Sequence, residues 1–284
     1  MWIVLAFLSA LFAGISAVLA KCGIKNTDFS FATALRTGVV LIMAFITVLV
    51  TGNIYAFRAL DFKSVLFLAL SGIATGASWL CYFKAIQQGD VSVVAPIDKS
   101  SAVLTVLLCF FVLGENPTPI KWVSLVFIAA GTLLMSVKKS SGGGENKTYI
   151  VYAALSAVFA SLTAILAKIG VNNVESNTAT FLRTGVVLAM AWAVVLITKK
   201  QGEIKKITKK DMLFICLSGI ATGASWLCYY RALQQGQTAV VVSIDKLSII
   251  ITVLFSATVL KEKVKIKEIT GLVLIVAGTF GMMA

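Results

Sequence analysis

Two aspartates stand where a carboxylate is costly to keep. Asp98, in VVAPIDKSSAVLTVLLCFFVLGE (93–115), and Asp245, in VVVSIDKLSIIITVLFSATVLKE (240–262), lie inside apolar runs, about eight residues or roughly 12 Å from the start of a helix. An ionised side chain at the centre of a hydrocarbon layer costs about 3 kcal/mol on insertion scales, and aspartate is too short to reach the headgroups. Two readings follow: a structural ion pair, or work on a solute or a proton. The adjoining Lys99 and Lys246 point about 100° away around the helix and are not intrahelical partners. A cross-repeat pair, Asp98 with Lys246 or Asp245 with Lys99, would neutralise both charges. An aspartate without such a partner could instead take up and carry a proton.

Arg36 and Arg183 lie near the starts of other apolar runs, where a long side chain either snorkels outward or closes an anion-attracting cavity mouth. Trp79 and Tyr82, like Trp226 and Tyr229, are three residues apart and so nearly share a helix face. They suit either the wall of a metabolite cavity or an interfacial aromatic belt. Counting Lys21, Lys84, Lys168 and Arg231, eight basic positions stand against two acidic ones within or at the ends of the runs. That balance favours an anionic or zwitterionic solute such as an amino acid or a carboxylate.

Catalysis finds little to work with. The chain has no histidine, no metal-ligand spacing, no serine-nucleophile motif and no phosphate-binding loop, so the expectation is a non-enzyme without cofactor or metal. Five cysteines fall in or beside the apolar runs and read as small buried hydrophobes. Glu115 and Glu262 end their runs and read as helix caps or salt-bridge partners.

The elements that must position these residues are membrane spans. Of 284 residues, 59% are hydrophobic and 13% charged, about half the charged fraction of a soluble domain; the mean hydropathy is +0.96. Apolar runs over 2–20, 30–51, 64–84, 91–113, 119–137, 148–167, 177–198, 211–231, 238–260 and 266–284 are each long enough to cross a hydrocarbon core about 30 Å thick. The first lacks the basic start and cleavage pattern of a signal peptide and reads as a span. The net charge of +13 comes from lysines in short loops, whose partner is the anionic leaflet of the lipid bilayer rather than nucleic acid.

An internal repeat organises the spans. SGIATGASWLCYFKAIQQG at 71–89 returns as SGIATGASWLCYYRALQQG at 218–236, an offset of 147. The same offset pairs Arg36 with Arg183, Asp98 with Asp245, Lys99 with Lys246 and Glu115 with Glu262. The domains are therefore a first repeat, 1–137, a hydrophilic linker KKSSGGGENK at 138–147, and a second repeat, 148–284. Five spans per copy is an odd number, so a continuous chain sets the second copy upside down. The expected fold is all-α, ten transmembrane helices in two inverted five-helix repeats. Transporters of this plan bind solute near the midplane and expose it to each side in turn. Gly72, Gly76, Gly219 and Gly223 give the four-residue spacing of close helix packing.

Lysines concentrate after the fifth, seventh and ninth spans, which places the odd-numbered loops in the cytoplasm and both termini outside. Ten spans in two repeats, a Pro-containing fourth span ending in Gly-Glu and a Gly-Thr-containing fifth resemble the EamA-type branch of the drug/metabolite transporter superfamily. The second repeat carries Ser243 for the proline and Lys261 for the glycine. Each half also resembles the single-repeat members that pair as dimers. The resemblance implies inverted repeats around a central cavity, with exporters of amino acids and other metabolites among relatives. Ten-span relatives usually keep both termini in the cytoplasm, opposite to the loop charges here.

The expected function is a secondary transporter, an exporter of a small zwitterionic or anionic metabolite, with a proton as candidate coupling ion and a monomer or homodimer as the working unit. The alternative is an ion channel or lipid scramblase on the same scaffold, although no filter-like sequence is visible.

Overall fold

The computed structural model describes residues 1–23, 28–52, 55–57, 60–88, 94, 97–136, 148–200, 202, 207–258 and 266–284. Among them there are helices and turns and no strands. The helices are α1 (Trp2–Gly23), α2 (Phe29–Val50), α3 (Phe62–Gln88), α4 (Ser101–Phe111), α5 (Pro119–Ser136), α6 (Thr148–Val171), α7 (Ser176–Ile197), α8 (Lys209–Gln235), α9 (Thr238–Asp245), α10 (Ser248–Thr258) and α11 (Ile266–Met283). Among the described residues eight segments are long and apolar enough to cross a membrane, and a shorter apolar helix covers 119–135. The fourth expected span begins at positions outside the described residues, as does the linker at 138–147. Most lysines of the loops after the fifth and ninth expected spans lie outside them too.

Outward faces stay apolar, the reverse of a soluble amphipathic helix. On α2, Ile42, Phe45, Ile46 and Leu49 are exposed while Val40, Ala44 and Val48 are buried.

The chain forms two compact units, each drawing on both repeats: Met1–Gly76 with Leu166–Gly236, and Ala77–Ile165 with Gln237–Ala284. In the first unit α1 packs on α8, and α2 packs on α7 and α8. Hydrogen bonds between serines join α1 to α8: Ser225 Oγ donates to the Ser9 carbonyl (3.0 Å), Ser16 Oγ to the Ser218 carbonyl (3.1 Å) and Ser218 Oγ to the Ser16 carbonyl (3.0 Å). Lipid offers no competing water, so each such bond contributes on the order of 1 kcal/mol to helix association. The repeated glycines close the other contacts. A Cβ on Gly72 or Gly76 would lie 2.8 Å from Val186 or 2.4 Å from Met190, and one on Gly219 or Gly223 would lie 2.7 Å from Val39 or Met43. Those partners are themselves related by the repeat offset.

In the second unit α5 packs on α11 and α4 on α9. A Cβ on Gly131 would sit 2.5 Å from the Gly271 carbonyl oxygen, and one on Gly278 would sit 2.7 Å from that of Ser124. Backbone meets backbone there, as small residues allow.

Carboxylates outside the spans serve as caps. Asp28 accepts from Ser30 N (2.9 Å) at the start of α2, and its repeat mate Glu175 accepts from Thr178 N (2.9 Å) at the start of α7. Asp61 accepts from Ser64 N (3.1 Å) before α3; hydrogen bonds from the Ser64 side chain and backbone hold its carboxyl below the usual range. Its mate Thr208 forms a capping box with Asp211 at α8. Cap chemistry differs between the repeats while cap position is kept.

The ends of α6 and α8 cap one another. Lys168 Nζ donates to the carbonyls of Leu233 and Gly236, while Gln234 Nε2 donates to those of Val171 (2.9 Å) and Val174 (2.8 Å). A cation at a helix C-terminus meets the negative end of the dipole. Glu115 caps a helix of the other repeat, accepting from the backbone N–H of Thr238 and of Ala239 (3.0 Å) at the start of α9. The cap expected of Glu115 is thus formed. Glu262 lies outside the described residues.

Two predictions follow from this packing. Gly131→Leu forces α5 off α11 and is expected to abolish the folded monodisperse species on size exclusion in detergent, whereas Gly38→Ala, with nothing within 4 Å of its added Cβ, leaves it intact. Glu115→Ala is expected to destabilise the protein by about 1–2 kcal/mol through loss of the α9 cap, read as a lowered thermal unfolding midpoint, with Glu115→Gln retaining part of the stability.

Candidate functional site

The expected ninth span is two helices rather than one. α9 ends at Asp245, and the chain passes through Lys246 and Leu247 in a tight turn before α10 starts at Ser248. Amides there reach back only three residues: Lys246 N to Ser243 O (3.2 Å), Leu247 N to Ile244 O (2.9 Å) and Ile249 N to Lys246 O (3.1 Å). Such 3₁₀ geometry inside a span marks a local interruption. The repeat-related position behaves alike. Residues 97–99 are helical, Ser100 is a turn and α4 begins at Ser101; Ser100 N and Oγ both reach the Ile97 carbonyl, at 3.1 and 2.6 Å. Both Asp-Lys pairs therefore lie at interruptions of their spans.

Asp98 is half-buried and accepts a hydrogen bond of 2.6 Å from Ser156 Oγ on α6. Ser156 is joined in turn to Ser78 on α3: the Ser78 hydroxyl donates to the Ser156 carbonyl at 3.1 Å, and the single Ser156 hydroxyl proton has the Asp98 carboxylate and the Ser78 carbonyl (3.1 Å) as alternative acceptors. Asp98 thus rests on a polar clasp between two helices. The cross-repeat Asp98–Lys246 ion pair is not formed among the described residues; the carboxylate takes a serine instead. Even so, Lys99, which is exposed, lies within electrostatic reach of both Lys246 and Asp98, and Tyr82 lies within reach of Asp98. Tyr82 packs beside Tyr152 on a buried cluster that includes Val94, Tyr149 and Ala153. Asp245 and Lys246 are half-buried, as is Trp79 on α3.

A second constellation forms in the first unit. Arg183 on α7 is 2% exposed, so it does not snorkel. Its Nε donates to Ser71 Oγ (3.0 Å) and one Nη to Thr75 Oγ1 (2.8 Å), both on α3. The guanidinium carbon stands 5.2 Å from the ring centre of Trp226 and 5.1 Å from that of Tyr230, both on α8. Cation–π contacts of this kind contribute up to about 2 kcal/mol when desolvated. Tyr229, expected to share the face of Trp226, instead packs its edge on Tyr230 (5.4 Å, 82°). Arg36, the repeat mate of Arg183, is half-buried and lines a cleft with Ala20, Ala32, Thr33, Ile215 and Ser218.

Of the other basic side chains, Lys168 is used at a helix end, and Lys84 and Arg231 are exposed. No group of His, Cys, Asp and Glu able to hold a metal is present among the described residues. The serines missed in the sequence share one face: Ser71, Thr75 and Ser78, and their mates Ser218, Thr222 and Ser225, fall at helical i, i+4 and i+7 positions. That spacing was the available signal.

The model of the EamA-like transporter family matches residues 1–137 and again 147–284, one match per repeat. A Sinorhizobium protein described as an uncharacterized transporter in the cobO 3' region is 44% identical over 136 residues, which is 48% of this chain and 96% of that protein. It therefore has the length of a single repeat. The uncharacterized transporter YxxF of Bacillus subtilis is 24% identical, over 71% of this chain and 64% of its own. A solved crystal structure superposes with a TM-score of 0.78 at 18% identity, covering 98% of this chain and 94% of that one, and shows the shared fold. With two matches to one family model, membrane-length apolar helices and transporter-named relatives, the chain is a multi-pass membrane protein that belongs to the EamA-like transporter family.

Proposed function

We propose that the protein is a secondary transporter that exports a small metabolite, an amino acid or another zwitterionic or anionic solute, by alternating access between two inverted five-helix repeats. The observation that carries this reading is the interruption of helix geometry at both repeat-related Asp-Lys pairs. Irregular helix geometry at membrane depth is tolerated where it serves a cavity, and solute and ion sites of transporters are built at such interruptions. An uninterrupted scaffold would have no need of aspartate and lysine at the break.

Asp98 is the candidate proton carrier. Its Ser156 contact (2.6 Å) changes character when the carboxyl is protonated, and Ser156 is bonded across to α3. Protonation at Asp98 would then loosen or tighten a helix–helix clasp, which is the coupling an antiporter requires. Lys99 and Lys246 would attract the anionic group of the solute. The odd-numbered loops, rich in lysine, are assigned to the cytoplasm, and ten spans with both termini outside complete the proposed topology. Since one chain already supplies both repeats, a monomer is the expected working unit.

Flux measurements in proteoliposomes test this reading. With labelled amino acids and organic acids, and with and without a pH gradient, the wild type is expected to show saturable uptake that the gradient stimulates. Asp98→Asn/Asp245→Asn is expected to cut that flux by roughly tenfold or more, the loss of a charge-assisted interaction, while keeping the wild-type elution profile. Non-saturable flux, or flux unchanged in the folded double variant, would contradict it.

A further inference from the structure

Arg183 carries a buried charge that no carboxylate among the described residues meets. Among the described residues its hydrogen-bond acceptors are the neutral hydroxyls of Ser71 and Thr75, and its Nη1 is buried without a hydrogen-bond partner. Two hydroxyls and two ring faces lower the cost of the cation but do not neutralise it, and a buried donor left unmade is costly in its own right. Packing does not call for an arginine there, because α3 meets α7 through Gly72 against Val186 and Gly76 against Met190. The described acidic residues of this unit are also spoken for: Asp28, Asp61, Glu175 and Asp211 cap helices. A guanidinium with one edge held by hydroxyls and Nη1 unpartnered is a prepared donor for an oxyanion.

The repeat supplies a second observation. Five of the six residue types lining the Arg36 cleft recur around Arg183, with Leu68 in place of Ile215. At Arg36 this set lines a small cleft and the arginine is half-buried, whereas at Arg183 Leu68 is buried against Val171, Val174 and Ala179 and the arginine is 2% exposed.

We propose that Arg183 is the anchor of an occluded oxyanion site, which takes the carboxylate of a small organic acid or amino acid through the N–H groups of Nη1, with Trp226 and Tyr230 as its walls. This deepens the transporter reading and rests on it for its substrate class. Trp226 stacks on the guanidinium from α8 and Ser71 holds it from α3, so anion binding draws on three helices at once.

The test uses the full chain in lipid nanodiscs, titrated with lactate, glycine, inorganic phosphate and, as a neutral control, lactamide, following the unfolding midpoint and tryptophan fluorescence. Saturable stabilisation by lactate or glycine and none by lactamide is expected; phosphate acting alone would move the site to phosphate esters and overturn the carboxylate assignment. Arg183→Gln is expected to weaken binding by roughly tenfold or more, as loss of a charge-assisted bond does, and Arg183→Lys to restore part of it. Should Arg183→Gln fail to fold, Trp226→Leu leaves the arginine in place and is expected to weaken binding several-fold. Wild-type affinity in either folded variant, or no saturation by any anion in the wild type, would overturn the site. Flux of a neutral or cationic solute unaffected by Arg183→Gln would remove the site and leave the transporter standing. Arginine-dependent anion binding without flux of any solute would do the reverse.

Discussion

A polar group in hydrocarbon has no water to bond, so every hydroxyl, backbone break and charge in this chain must be answered from within the protein. Most of them are. Serine hydroxyls donate to carbonyls of neighbouring helices, Ser225 to Ser9 and Ser218 to Ser16 in one unit and Ser78 to Ser156 in the other. Threonines bond back to their own helix, as Thr184 does to Thr180. Glutamates and aspartates at the ends of helices are spent on backbone amides. Three buried side-chain atoms among the described residues lack a hydrogen-bond partner, Ser176 Oγ, Thr238 Oγ1 and Arg183 Nη1, and of these only the arginine carries a charge. Shortfalls of this kind in a membrane interior are where function is expected to lie.

The repeat makes these departures legible. Glycines 72 and 76 press on Val186 and Met190 as glycines 219 and 223 press on Val39 and Met43, so the packing of α3 on α7 and of α8 on α2 follows one rule. Against that common scaffold, half-buried Arg36 beside a small cleft and fully buried Arg183 differ in exposure but hardly in the residue types around them. The half-length relative from Sinorhizobium fits the same logic, since one repeat is a complete sequence unit.

Much of this could be read from the sequence, because hydropathy, a fixed offset and small-residue spacing each reflect a local rule. The spans around α1 to α3 and α6 to α8, the close approach at the glycines and the cap at Glu115 fall in that class. What could not be read depends on tertiary choice. The break between α9 and α10 is hidden because VVVSI and LSIIITV are equally apolar on either side of Asp245 and Lys246. The aromatic face was assigned by an i, i+3 pair, Trp226 and Tyr229, whereas the arginine selects the i, i+4 pair, Trp226 and Tyr230; both spacings share a helix face, and only the partner decides. Lys168 counts among the basic positions at the ends of the runs, and only the fold shows that the carbonyls of Leu233 and Gly236 claim it. Arg183 looked free to reach the headgroups, but α3 hydroxyls and α8 rings hold it inside.

The central proposal is that the two repeat-related residue sets around Arg36 and Arg183 open to opposite sides of the membrane in turn. Side-specific labelling measures this directly. With the five native cysteines replaced, Thr33→Cys in the Arg36 cleft and its repeat mate Thr180→Cys would be exposed to an impermeant maleimide from each face of sealed, oriented vesicles, with and without saturating transported solute. The account predicts that the two positions label from opposite faces and that conditions raising one rate lower the other. Labelling of both from the same face, or rates that vary independently, would contradict it.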